Sequence, residues 1–103
     1  MPWYSFDVQT SQGLARFIII ADNAWCAAQQ SWLESELTDA DKNAKYTILV
    51  EHHPPYDTSD AKDDVAAISD IVTQEGHRFA LWLTGHAHGY KRRTDITEVM
   101  VLG

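Results

Sequence analysis

The sequence predicts an α/β fold in the order β-β-α-β-α-β-β, on three observations. Leu14 to Ala21 is an apolar run rich in isoleucine, of the kind a central strand carries. Two stretches, one after Asp22-Asn23 and one after Asp60, repeat apolar residues at helical spacing. Each of these helices is followed by a further apolar run, and such alternation belongs to layered α/β architecture.

Taken in order, Trp3 to Val8 alternates, with Tyr4, Phe6 and Val8 sharing one face and Ser5 and Asp7 pointing away, as in a half-buried strand. Gln12-Gly13 is a hairpin turn into the strand Leu14–Ala21. Asp22 or Asn23 is the expected cap of the first helix, accepting a hydrogen bond from one of its free N–H groups. Trp25, Ala28, Trp32, Leu33, Leu37 and Ala40 then form the apolar stripe, with Glu34, Glu36 and Asp39 on the wet side. Lys45 to Glu51 reads as the third strand, ended by Pro54-Pro55. Thr58, Ser59 and Asp60 supply caps for the second helix, whose Val65, Ile68, Ile71 and Val72 line one face before a C-cap at Gly76. Phe79–Thr84 is the next strand, Arg92–Asp95 a polar loop, and Ile96–Leu102 the last strand. The first strand opens at residue 3 and the last runs to the chain end, so both ends read as cut through structure.

Composition narrows the function. With 45% hydrophobic and 22% charged residues the chain suits a globular domain rather than a disordered one. A net charge of −7 repels phosphate backbones, which argues against general nucleic-acid binding, and repels any anionic substrate unless bound cations reverse the local sign. The single cysteine, Cys26, makes no internal disulfide and is expected to be a small buried hydrophobe near a helix start. No signal-peptide pattern opens the chain and no apolar run approaches the ~20 residues that cross a bilayer, which leaves the compartment open.

Four of the five histidines fall in two places: His52-His53 after the third strand, and His86 and His88 in Gly85-His86-Ala87-His88 after the fourth. In open α/β sheets ligands gather at the carboxyl ends of strands, so two segments deliver imidazoles to the edge where chemistry usually sits. Neutral imidazole binds zinc, iron and manganese, Gly85 permits a sharp turn, and Pro54-Pro55 stiffens the chain beside His52. The bland reading of either motif alone is a polar loop. The two together, at strand ends separated by one helix, point to a metal site. His77 is expected to be a helix-terminal residue meeting the negative end of the helix dipole.

His52-His53-Pro54-Pro55-Tyr56, followed by Gly85-His86-Ala87-His88-Gly89-Tyr90-Lys91-Arg92, resembles the last two metal motifs of the calcineurin-like metallophosphoesterases, above all the purple acid phosphatase branch. Trp3-Tyr4-Ser5-Phe6-Asp7 and Gln30-Ser31-Trp32-Leu33-Glu34 resemble a strand and a helix of the same enzymes. The resemblance implies the C-terminal half of a four-layer αββα sandwich, so that residues 1–103 are a single partial domain without its N-terminal half. It implies hydrolysis of phosphate mono- or diesters at two metal ions, iron, zinc or manganese, with His52 and His86 on one ion and His88 on the other. His53 would stand behind the ligands, and Tyr90 and Arg92 would shape the loop.

The family's earlier motifs, Asp-x-His, Gly-Asp and Gly-Asn-His, occur nowhere in the sequence. Without their bridging carboxylate nothing holds two ions ~3.5–4 Å apart against their mutual repulsion, so this chain alone is expected to hold at most one. The absent half would also supply the second sheet, leaving an apolar face uncovered, and the isolated chain is expected to be poorly soluble or partly unfolded and catalytically weak. Three readings remain: part of a phosphoesterase; an inactive remnant that binds one transition metal or pairs with a separate N-terminal half; or a small α/β protein with histidines on its surface.

Overall fold

A computed structural model describes residues 2–51, 63–74, 77–84, 92–93 and 98–100 of the chain. Strands β1 (Tyr4–Thr10) and β2 (Gly13–Ile19) form an antiparallel hairpin, in register from Tyr4↔Ile19 to Thr10↔Gly13. The Thr10 hydroxyl closes the turn, donating to the Gly13 carbonyl at 2.6 Å and accepting from the Gln12 N–H at 3.1 Å. Gly13 sits at φ +137°, and a Cβ there would lie 2.6 Å from Cβ of Lys45, so glycine is required on both counts.

A single 3-10 turn at Asp22–Ala24 leads into helix α1 (Ala27–Asn43), which returns to β3 (Tyr46–Val50), parallel to β2. Helix α2 (Asp63–Gln74) then leads to β4 (Leu81–Thr84), parallel to β3. Two short strands follow, β5 (Arg92–Arg93) and β6 (Glu98–Met100), with β6 parallel to β4 and antiparallel to β5. The sheet is mixed and six-stranded, in the order β1-β2-β3-β4-β6-β5. The chain is thus mixed α/β as expected, with one strand more than the sequence suggests: Arg92–Arg93 pairs with β6 where a polar loop is expected. Edge pairing of two residues needs only backbone groups and leaves no hydrophobic pattern to read.

Both crossovers step the same way across the sheet, from β2 to β3 to β4, and a common right hand places their helices on one face. The core accordingly joins Leu33, Leu37 and Ala40 of α1 and Ile68, Ile71 and Val72 of α2 to Ile18, Leu49 and Trp82 of the sheet. Trp25, Trp32 and Phe79 pack around its rim. Val65 and Gly76, expected at the core face and the C-cap of α2, and the expected caps Thr58, Ser59 and Asp60, lie outside the described side chains.

β1 alternates as the sequence suggests, but its apolar side is the open one. Tyr4, Phe6 and Val8 are 53%, 45% and 43% exposed. Ser5 and Asp7 turn towards α1 instead, where the Ser5 hydroxyl donates to Glu36 and Asp7 pairs with Arg16 at 2.8 Å. Arg16 also pairs with Asp39 of α1. Hydrogen bonds to Asp7 and Asp39 raise the Arg16 pKa above its ordinary value, and the bond from Arg16 lowers the Asp39 carboxyl. This charged clasp, invisible to periodicity, decides which side of the strand faces in. It also makes Glu36 half-buried rather than wet, while Ala28, expected in the apolar stripe, is exposed.

The entry to α1 differs from expectation too. Asp22 and Asn23 form the 3-10 turn, the N-cap position is Cys26, and its side chain makes no cap bond. Cys26 is exposed rather than buried, because the helix begins with its first residues turned to solvent. The fastening comes from Gln29, fully buried one turn into the helix. Its Oε1 accepts from the Ala21 N–H at 2.8 Å, and its Nε2 donates to the carbonyls of Ala21 (2.9 Å) and Ala24 (3.1 Å). Gln29→Leu keeps the volume and strands these backbone groups. It is expected to cost about 2–3 kcal/mol in denaturant unfolding, and a loss under 0.5 kcal/mol would contradict this role.

Candidate functional site

Because β2, β3 and β4 run parallel, their carboxyl ends share one edge of the sheet. The ladder continues one step past the strands there, with the Ile20 N–H donating to the Val50 carbonyl at 2.8 Å and the Glu51 N–H to the Leu83 carbonyl at 3.0 Å. Three polar residues are buried where these strands end: Asp22 after β2, Glu51 after β3 and Thr84 at the end of β4. Glu51 Oε1 accepts from Trp82 Nε1 at 2.7 Å, tying the ends of β3 and β4 on the helix side of the sheet. The buried Thr84 hydroxyl has no hydrogen-bond partner among the described residues.

His52 follows Glu51 directly, and His86 stands two residues beyond Thr84. His52, His53, His86 and His88, with Pro54, Pro55, Gly85 and Tyr90, lie outside the described residues. What the described residues establish is that the two histidine-bearing segments depart from neighbouring parallel strands at the same edge. Among the described residues no three His, Cys, Asp or Glu side chains are grouped to hold a metal ion, a statement that does not reach those four histidines. No described helix is long and apolar enough to cross a membrane.

Glu51, Thr84 and Gln29 were not singled out by sequence pattern. A signal for Glu51 exists: in Thr47-Ile48-Leu49-Val50-Glu51 it falls on the same side as the core residue Leu49, where a carboxylate needs a partner. Gln29 and Thr84 leave no such mark, since an isolated polar residue at helical or strand spacing is common on surfaces.

The fifth histidine binds away from this edge. His77 Nδ1 lies 2.6 Å from Asp41 Oδ2 of α1, and the Arg78 N–H donates to Asp41 Oδ1 at 3.0 Å. The Arg78 guanidinium adds a bond to the Asp41 carbonyl at 2.6 Å. His77 therefore links the segment before β4 to the last turn of α1 through a specific carboxylate partner; the expected contact with the end of α2 involves residues 75 and 76, which lie outside the described residues.

No protein-family model matches the chain, and no curated protein matches it significantly.

Burial raises the Asp41 carboxyl, but the hydrogen bonds from His77 and from the Arg78 N–H outweigh it and leave Asp41 below its ordinary value of 3.8. A carboxyl depressed by folding stabilises the protein above its unfolded pKa, and the contribution is lost as pH falls through the folded value. Wild type is therefore expected to exceed Asp41→Asn in stability at pH 6, with the two converging below pH 3.8. A gap that is unchanged or wider in acid would contradict the assignment.

Proposed function

We propose that this chain carries the C-terminal metal motifs of a metal-dependent phosphoesterase acting on phosphate mono- or diesters. In this reading His52 and His86 hold one ion and His88 the other. The observation that carries it is the common carboxyl edge: Glu51 and Thr84, the last described residues before the two histidine motifs, end adjacent parallel strands. Four-layer architecture and the role of each histidine rest on the motif resemblance.

The donor set fits a metal, with a limit on number. Three neutral imidazoles suit zinc, iron or manganese, and three protein ligands are a known catalytic zinc set. A bound ion supplies Lewis-acid polarisation of a phosphoryl oxygen. The chain's own part is to present the rings deprotonated and to hold them still. Pro54-Pro55 restricts the backbone after His53, and the Glu51–Trp82 bond steadies the strand end before His52. An ion would also reverse the local sign of a chain of net charge −7, which a phosphate ester requires.

The absence of Asp-x-His, Gly-Asp and Gly-Asn-His from the sequence favours a second reading for the chain by itself. Here it binds one transition metal without turnover, or completes a site with a separate N-terminal half.

Calorimetric titration with zinc decides between these readings and a purely decorative role for the histidines. The expected stoichiometry is one ion per chain. Affinity should fall as pH drops below ~6, since each imidazole must lose its proton to bind. His52→Ala, His86→Ala and His88→Ala should each weaken binding by at least the ~10- to 100-fold that losing a mere supporting residue costs. Turnover of an aryl phosphate by the metal-loaded chain favours the enzymatic reading, and its absence the second. No binding, or binding indifferent to all three substitutions, overturns both.

A further inference from the structure

Thr84 closes β4 on the helix side of the sheet. Burial alternates along that strand, with Leu81 exposed, Trp82 buried, Leu83 half-buried and Thr84 buried again, so Thr84 shares a face with the core residue Trp82. The pairing Val50↔Leu83, continued by the bond from the Glu51 N–H to the Leu83 carbonyl, sets Glu51 beside Thr84 at the end of the neighbouring strand. Thr84 is 2% exposed, and its hydroxyl, closed off from solvent, has no hydrogen-bond partner among the described residues. Taking a hydroxyl out of water without replacing its bonds is unfavourable. Packing does not require one here, since valine has nearly the same shape and suits a strand as well. Other buried polar side chains are in use: Arg16 on Asp7 and Asp39, Gln29 on Ala21 and Ala24, and Glu51 on Trp82.

We propose that the Thr84 hydroxyl accepts the second N–H of a metal-bound imidazole from the adjoining histidine motifs, as a positioning residue that fixes the ring's tautomer and orientation. Three considerations favour this role. First, the place is right: Gly85-His86 follows Thr84 directly, and His52 follows Glu51 on the next strand. Second, the chemistry is complementary. An imidazole that binds a metal through one nitrogen carries a proton on the other, and that N–H almost always finds an acceptor. A threonine oxygen has two lone pairs for it, and no described residue competes for them. Third, the surroundings favour a strong bond. Trp82 and Glu51 are buried and joined to each other at 2.7 Å, which keeps water from the hydroxyl and raises the worth of any bond it makes.

The proposal rests on the metal reading above, and its test separates the two by measuring metal-free stability beside zinc affinity. Denaturant unfolding without metal and calorimetric titration with zinc are run on wild type, Thr84→Val, Thr84→Ser and Thr47→Val. Thr47 is buried on the same face at the other end of β3, away from the histidine motifs, and serves as the control. Thr84→Val is expected to match or exceed the metal-free stability of wild type, because it removes an unpaired buried oxygen and keeps the shape. Its zinc affinity should nevertheless fall ~10- to 100-fold, the usual effect of losing an outer partner of a ligand. Thr84→Ser, which keeps the hydroxyl, should retain most of the affinity, and Thr47→Val all of it. Undiminished zinc binding by Thr84→Val overturns this role alone and leaves the metal site standing, whereas a wild type that binds no zinc removes both. Lower metal-free stability in Thr84→Val assigns the hydroxyl to the fold and overturns the role. Equal losses of affinity in Thr84→Ser or Thr47→Val do so as well.

Discussion

Parallel pairing of β2, β3 and β4, with both connecting helices on one side, is the constraint from which the rest of the molecule follows. Because each connection steps to the next strand in the same direction, the helices cannot divide themselves between the two faces without changing hand. One face therefore receives the main core cluster, from Ile18 and Leu49 to Trp82, while the other leaves Tyr4, Phe6, Val8 and Leu81 exposed and buries only Ala15 and Ile48 among the hydrophobic residues of β1 to β4. Parallel strands also end together. The segments that leave β3 and β4 begin side by side, which no antiparallel hairpin in their place would provide.

Polar groups inside this frame hold the joints rather than the core. Arg16 fastens the edge strand to the sheet and to α1, Gln29 secures the passage from β2 into α1, and Asp41 anchors the approach to β4. Glu51 and Trp82 join the ends of the two strands that precede the histidine motifs. Arg16 acts from the middle of β2, and the others sit at or near the ends of strands and helices.

The strands and helices were legible because their periodicities are strong: the isoleucines of β2, the Leu33-Leu37-Ala40 stripe of α1, and Ile68-Ile71-Val72 of α2. What escaped reading was partnership across the chain. Nothing local announces that Asp7 faces a buried arginine, so the side of β1 that points inward could not be read from its alternation. Capping was misplaced for a similar reason, since Gln29 reaches back eight residues to do what Asp22 or Asn23 would do from the turn. At the candidate site, the strand ends are where the sequence suggests. The buried Glu51 and Thr84 beside them depended on knowing which face the helices occupy.

The central claim is that His52, His86 and His88 converge at this edge, so that the single ion expected on this chain alone takes all three imidazoles. X-ray absorption at the zinc edge of the metal-loaded chain tests it most directly, because imidazole rings give outer-shell scattering that carboxylates and water do not. The account predicts about three imidazole nitrogens at ~2.0–2.1 Å per zinc. A spectrum of oxygen ligands without imidazole scattering, or of one imidazole alone, would contradict it.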